Sequence, residues 1–325
     1  MSQSTLDDLP DAVRLEREYD VPRLVADLKQ ITGHQWQRQR YFSDTGVGTE
    51  VSYDWTVLPL RSPGGGDDRT DPGGPGLVDH ADTGWLARTP YFARILAELP
   101  VPLRAVRLMA LGPGAATRKH VDTKYGFPWG TLRLHIPITT VPEATLEFGD
   151  DVYRWQPGTL WFGNFCRPHR VSNTGTGNRV HMVIDTHVTP ELVELFPAEL
   201  REALAEPDVV FARPEQPLDP GGASRRRCRF AMPKPFTSWE DDDEFRTSDA
   251  LVDASIDWAQ GQLAVHLDGS PALGLVHLGE GEFRFRGWTD ERWIRVEGQG
   301  DGMTVTLFNR RGSEVRSRNC PAAAL

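Results

Sequence analysis

Two segments of this 325-residue chain carry side chains of the kind that hold a metal ion: His120 and Asp122 in KHVDTKY, and His169 in RPHRV. Residues at i and i+2 of an extended strand project to the same side, so His120 and Asp122 can reach one ion together. A third donor must then come from another strand, as His169 would. Two imidazoles and a carboxylate on one face of a borderline divalent ion, with the opposite face open, form the ligand set of non-haem iron(II) oxygenases. An HxD pair alone is equally an ordinary pair of strand or turn residues, and a second feature has to support it. Arg179 is that feature. It stands ten residues beyond His169, past the turn-forming SNTGTGN, at the start of RVHMVID. A hairpin there would bring Arg179 back beside the metal strand. A guanidinium so placed can clamp a dicarboxylic cosubstrate through two parallel charge-assisted hydrogen bonds.

The elements that must position these groups are strands. From residue 103 the hydrophobic period is two: LRAVRLMAL runs to the turn Gly112-Pro113-Gly114. LRLHIPI then puts Leu132, Leu134, Ile136 and Ile138 on one face, with Arg133 and His135 on the other. ATLEFG, DVYRW, GTLWFG and NRVHMVID read as further short strands punctuated by Gly, Pro, Asn and Asp. No crossover helix fits between residues 103 and 187, which favours a closed or sandwiched antiparallel sheet over a βαβ fold. Helical spacing is present at 21–28 and at 89–99, where Pro90 suits a first turn, and ELVELFPAELREALAE after Pro190 also reads as helical. Residues 62–76, SPGGGDDRTDPGGPG, predict an irregular or flexible loop. The expected division is an oxygenase-like domain over 1–213 with its core at 103–187, a linker over 214–244, and a small β-rich domain of about five meander strands over 245–325.

Composition excludes several classes of function. A hydrophobic share of 39% and a charged share of 25% are those of an ordinary globular chain, and a net charge of −10 opposes any broad attraction to nucleic acid or anionic membrane. The basic run Arg225, Arg226, Arg227 and Arg229 reads as solvated linker, with the acidic stretch 240–244 close enough in sequence to neutralise it. Cys166, Cys228 and Cys320 are scattered and form no CxxC pair, so neither a disulfide framework nor a thiolate zinc site is expected. The N-terminus lacks the basic and apolar regions of a signal peptide, and no apolar run approaches membrane-spanning length. The expectation is a cytoplasmic enzyme.

As an ordered set, HVD, the strand RLHIPI, W-x-x-G-x-x-W-F-G-N-F, PHRVSN and RVHMVID resemble the aspartyl/asparaginyl β-hydroxylase family over about residues 105–187. The resemblance implies a mainly β fold with a double-stranded β-helix (cupin-like jelly-roll) core and flanking helices. It further implies iron(II), 2-oxoglutarate, dioxygen and hydroxylation at an unactivated carbon. By this match His120, Asp122 and His169 hold the metal and Arg179 binds the distal carboxylate of 2-oxoglutarate. Arg133 and His135 match family positions on the active-site side of their strand and are candidates to hold cosubstrate or an acidic substrate. Asn164 is a candidate hydrogen-bond donor to substrate, and Arg118, Lys119 and Arg133 supply positive charge that suits a carboxylate. Animal members of the family lack the carboxylate ligand, so Asp122 aligns this chain with the bacterial branch, which includes enzymes acting on free amino acids. The C-terminal β-rich segment has no counterpart in the family core and points away from a simple free amino acid. The implied partner is an amino-acid or peptide substrate, with Asp or Asn the first expectation; nucleic acid and membrane are not expected partners. Two other readings use the same residues: a non-catalytic cupin-like binding module and a zinc-dependent hydrolase.

Overall fold

Leu132, Leu134, Ile136 and Ile138 are almost completely buried along strand Thr131–Thr139, and the pleat turns Arg133 and His135 to its opposite face. That alternation organises everything around the site. The computed structural model describes residues 5–34, 36–43, 46–50, 54–205, 207–240 and 242–325. They fall into two units: Met1–Gly73, His80–Phe127 and Thr131–Val209 in the first, and Gly74–Asp79, Pro128–Gly130 and Val210–Leu325 in the second.

In the first unit a large antiparallel sheet runs in the order Ala12–Glu18, Thr159–Gly163, Thr131–Thr139, Arg179–His187, Leu103–Leu111, Trp55–Pro63, Gln37–Arg38. A smaller sheet is built from Asp151–Tyr153, Ala144–Phe148 and His169–Asn173. Isolated bridges Ala116↔Ser172 and His120↔His169 lengthen its edge. The inner faces of the two sheets meet over Leu111, Leu146, Phe148, Trp155, Phe165 and Val171. This is the mainly β, cupin-like core with flanking helices that the family resemblance implied.

The outer face of the large sheet is covered by helices. Val21–Ile31 starts at the N-cap Asp20, whose carboxylate accepts the Arg23 N–H (3.0 Å), and it buries Leu24, Leu28 and Ile31 against strand Thr131–Thr139. Asp27, on the same helix, is buried and accepts the N–H groups of Tyr91 (2.7 Å) and Phe92 (2.9 Å) in the first turn of helix Pro90–Glu98. A carboxylate at a helix N-terminus satisfies orphan donors and opposes the helix dipole. Asp27→Ala should therefore cost about 2–3 kcal/mol in urea unfolding, with Asp27→Asn losing about half of that. A loss below about 0.5 kcal/mol in the alanine variant would show that the carboxylate does not hold the second helix.

Two local expectations are corrected, after Pro190 and at 214–244, while the loop expected beyond residue 62 is irregular as read. The helical stretch after Pro190 is broken into Pro190–Val193, Ala198–Arg201 and a 3-10 turn at Ala203–Ala205, because Pro197 cannot continue a helix from the preceding turn. Residues 62–76 are irregular but tied down: Asp71 is buried, paired with Arg69 (2.8 and 2.9 Å), and accepts the Gly73 N–H (2.9 Å). The segment 214–244 is not a plain linker, since Cys228–Pro233 is a strand of the second unit.

That second unit is a closed eight-stranded barrel of Cys228–Pro233, Leu251–Ala259, Gln262–Leu267, Ser270–Gly279, Glu282–Phe285, Arg292–Glu297, Met303–Arg311 and Glu314–Ala324. The last strand returns to the first through Cys228↔Ala324 and Phe230↔Ala322. Three hairpins turn on Gln260-Gly261, Asp268-Gly269 and Glu280-Gly281, with both residues of each pair at positive φ (47° to 80°). This is the two-residue turn whose twist matches paired strands. Phe230, Met232, Ile256, Val265, Phe283 and Ile294 are among the side chains that fill the interior. Cys166, Cys228 and Cys320 form no disulfide with one another, and the latter two lie in the barrel core. Arg227 and Arg229 of the basic run pair with Asp257 (2.5 Å) and Asp253 (3.8 Å), on the neighbouring strand. Among the described residues no helix is long and apolar enough to cross a membrane.

Candidate active site

His169 opens the strand His169–Asn173, and its backbone exchanges hydrogen bonds with that of His120 in both directions (2.9 and 3.0 Å). Beyond this bridge the chain leaves the ladder. His120 and Asp122 therefore lie on a loop rather than on a full strand, and the Asp122 N–H is anchored on the Phe165 carbonyl (2.8 Å). The two imidazole centroids are 4.3 Å apart, and one donor atom from each of His120, Asp122 and His169 lies within 4.8 Å of the others. Each histidine engages its Nδ1 with the carbonyl oxygen two residues upstream: His120 with Arg118 (2.8 Å) and His169 with Arg167 (3.0 Å). A carbonyl can only accept, so Nδ1 carries the proton and the Nε2 lone pair is free for a metal. Burial lowers the His169 pKa, which favours the neutral form a metal needs. The arrangement is a two-histidine, one-carboxylate facial set of the kind that binds iron(II).

Asp122 is itself held. Its Oδ2 accepts from Arg133 Nη1, while its Oδ1 lies 3.7 Å from His120 Nε2. Arg133 donates its other edge to Asp185, Nε to Oδ1 (2.7 Å) and Nη2 to Oδ2 (3.1 Å), and its guanidinium sits 4.0 Å from the centre of the Tyr125 ring. Asp185, only 1% exposed, also accepts from the Tyr125 hydroxyl (3.0 Å) and from Arg107 (3.2 Å). These cations hold its carboxyl below the usual range against the desolvation that opposes them. Each nitrogen of Arg133 thus donates to a carboxylate of the chain itself. Asp185, Tyr125 and Arg107 were not foreseen. The signal available for Asp185 was its place at alternate spacing with Arg179 and His181 in an otherwise apolar strand, and the register pairs it with Arg133.

Arg179 begins the strand Arg179–His187, but no hairpin puts it there. His169–Asn173 pairs in the small sheet and Arg179–His187 in the large one, so the intervening turn crosses between sheets. The guanidinium is buried, and no carboxylate pairs with it among the described residues. Burial without a counter-charge pulls its pKa down to about 9, so it remains a cation at neutral pH. His135 and His181 are buried beside it, their Nδ1 atoms 3.3 Å apart, and burial drives both well below the ordinary histidine range. The Nε2 of His135 is buried with no hydrogen-bond partner. Its ring lies 5.0 Å from Phe165, which lies 4.9 Å from His169. A buried cation and an unmatched imidazole nitrogen, beside a metal-ligand set, make a receptor for an anion.

Asn164, Arg118 and Lys119 lie elsewhere. Asn164 is buried in its loop, its Oδ1 accepting from Cys166 Sγ (2.9 Å) and its N–H bonded to the Asp11 carbonyl (2.8 Å). Arg118 is exposed and lines an outward recess together with Lys119 and Arg170. Phe162 packs with Phe127 and Phe196, and Trp161 stacks on Trp155 at 5.2 Å.

A family model described as aspartyl/asparaginyl beta-hydroxylase matches residues 18–188. No curated protein matches the chain. Among solved structures, an oxidoreductase of the 2OG-Fe(II) oxygenase family from Burkholderia pseudomallei is 11% identical, covering 57% of this chain and 92% of its own, with a TM-score of 0.37. A prolyl hydroxylase from Trichoplax adhaerens is 9% identical over 62% of this chain and 91% of its own, again with a TM-score of 0.37. The protein TT1209 from Thermus thermophilus is 23% identical over 26% of this chain and 71% of its own, with a TM-score of 0.21. Likenesses this distant say nothing of a substrate.

Proposed function

This chain belongs to the aspartyl/asparaginyl β-hydroxylase family and is an iron(II)- and 2-oxoglutarate-dependent oxygenase, and we propose that it hydroxylates an amino-acid side chain, free or carried on a peptide, with the β-carbon of Asp or Asn first in order. The observation that carries this reading is the convergence of His120, Asp122 and His169 within 4.8 Å, each with a donor atom free. The donor set fits a borderline divalent ion such as iron(II), held by His120 Nε2, Asp122 Oδ1 and His169 Nε2. Bound together, iron(II), 2-oxoglutarate and dioxygen supply the oxidising power, the cosubstrate leaving as succinate and carbon dioxide while one oxygen atom enters a substrate C–H bond.

The chain's own part is binding, orientation and exclusion of water. Arg179 is assigned the distal carboxylate of 2-oxoglutarate, because a buried guanidinium that meets no carboxylate among the described residues is completed by a bidentate one. His135 is the second contact for that anion. A carboxylate needs a donor, which fixes His135 as the Nε2–H tautomer and His181 as the Nδ1–H donor to it. Phe165 and Trp155 line the same face and keep it dry. A zinc hydrolase or a simple binding module has no use for a buried unpaired guanidinium beside three ligands.

Arg133 and Asp185 are positioning residues in this reading. By occupying Asp122 Oδ2, Arg133 leaves one oxygen for the metal, and Asp185 fixes the direction from which Arg133 approaches. Arg133→Lys and Asp185→Asn should each weaken cobalt(II) binding by about 10–100-fold and alter the visible spectrum of the bound ion. Unchanged affinity and spectrum in both variants would remove the positioning role. The reaction itself is tested by incubating the chain with iron(II), 2-oxoglutarate and a panel of free amino acids and peptides. Succinate formation matched by the gain of one oxygen atom in one substrate is expected. Succinate release that no substrate stimulates would leave the hydroxylase assignment without support.

A further inference from the structure

Arg118, Lys119 and Arg170 are exposed and have no carboxylate partner among the described residues. They contrast with Arg61, Arg69, Arg107, Arg133, Arg167 and Arg201 of the same unit, each of which faces a carboxylate. With Thr117, Glu147 and Gly149 the three free cations line a recess of about 540 Å³. Its position is informative. Lys119 directly precedes His120 and Arg170 directly follows His169, the two residues whose backbones are bonded to each other. Arg170 stands opposite Glu147 on the outer face of the small sheet, while His169 on the same strand points inward. The recess therefore backs onto the short ladder that carries both imidazoles.

A chain of net charge −10 that gathers three solvated, unpaired cations in one recess opposes its own field at that place and would attract an anion there. An exposed ion pair raises affinity only a few-fold, so a single small anion touching one cation would be held poorly. A flexible segment bearing several carboxylates can engage all three at once, and the recess is too large for one carboxylate to fill. We propose that it docks an acidic segment of the polypeptide that carries the residue to be hydroxylated. The identity of that polypeptide as substrate rests on the oxygenase reading above; the docking does not.

The test uses the full chain, metal-free in chelator, and a fluorescently labelled oligo-glutamate peptide followed by anisotropy. The wild type should bind, with affinity falling as salt rises. The triple variant R118E/K119E/R170E should bind at least roughly 10-fold more weakly, while R94E/R229E/R246E, the same charge change elsewhere, should lose no more than about two-fold. The recess variant should unfold at nearly the wild-type midpoint and its cobalt(II) affinity should not fall, which establishes that it is folded and keeps a failure of docking distinct from a failure of the metal reading. The proposal is overturned if the wild type does not bind the peptide or if both triple variants lose affinity equally. It also fails if inorganic phosphate displaces the peptide as well as unlabelled oligo-glutamate does, because the recess would then be a single-anion site.

Discussion

His120→Ala and His169→Ala are each expected to abolish substrate-stimulated succinate formation and to lower cobalt(II) or iron(II) affinity by roughly 10²–10³-fold. The magnitude follows from the donor count. Four-ligand structural zinc sites are worth about 10–16 kcal/mol, so one donor carries about 3–4 kcal/mol, and each 1.4 kcal/mol is tenfold. Truncation leaves the fold a way to tolerate the loss, because the His120–His169 bridge is made by backbone atoms. The two variants should therefore unfold at nearly the wild-type midpoint while failing to hold metal. Succinate formation that survives in both variants would refute the ligand assignment, since the pair supplies two of the three converging donors.

How much of this was legible in the sequence depends on whether the information was local. The order H-x-D, H, R and the alternation of Leu132, Arg133, Leu134 and His135 are local, and the fold keeps both as read. The route by which Arg179 arrives was not local. A Gly- and Asn-rich turn predicts a hairpin, yet the Asn173 side chain, fully buried, donates to the carbonyls of Leu111 (2.9 Å) and Gly177 (2.8 Å). That pair of bonds ties the turn to the neighbouring large-sheet strand, and the chain changes sheets there instead of folding back. The role of Asp185 was obscured for a related reason, its alternate spacing with Arg179 and His181 being the one local sign of it. An acidic residue near the end of an apolar strand reads as a solvated terminus, and only the register Asp185↔Arg133 reveals a buried carboxylate shared by two arginines and a tyrosine. In the barrel, the five strands of clear alternation were visible. Three were missed: Cys228–Pro233 was hidden by the basic run before it, Leu251–Ala259 by the acidic residues Asp253 and Asp257 that interrupt its apolar positions, and Glu314–Ala324 carries too few apolar residues to show a pattern. Closure of the barrel depends on the first and last of these pairing with each other.

The second large effect is expected at Arg179, where cosubstrate binding and stability should move in opposite directions. Replacing one partner of a buried, hydrogen-bonded charge pair costs about 2–5 kcal/mol of binding, so Arg179→Met should raise the dissociation constant for 2-oxoglutarate by roughly 10²-fold or more. The unliganded chain is in the reverse position. Its guanidinium is charged, buried and without a carboxylate partner among the described residues, with the folded-state pKa drawn down by desolvation to about 9. For a base with a depressed folded pKa, the unfolded chain binds more protons between the folded value and the higher unfolded one, so this site's contribution to stability rises with pH across that window. Below about 9 the group is charged in both states and the penalty stands in full. At neutral pH, then, methionine of similar length should leave the metal-free, ligand-free chain as stable as the wild type or more stable, as replacement of buried charge by apolar volume often does. 2-Oxoglutarate should raise the wild-type melting temperature by supplying the missing anion, and should do little for Arg179→Met. Thermal unfolding with and without the cosubstrate, alongside calorimetric titration under anaerobic conditions, reads both effects. Cosubstrate affinity that does not change in Arg179→Met would take the residue out of the site. A variant that melts well below the wild type without ligand would mean instead that the guanidinium already has its anion within the folded chain.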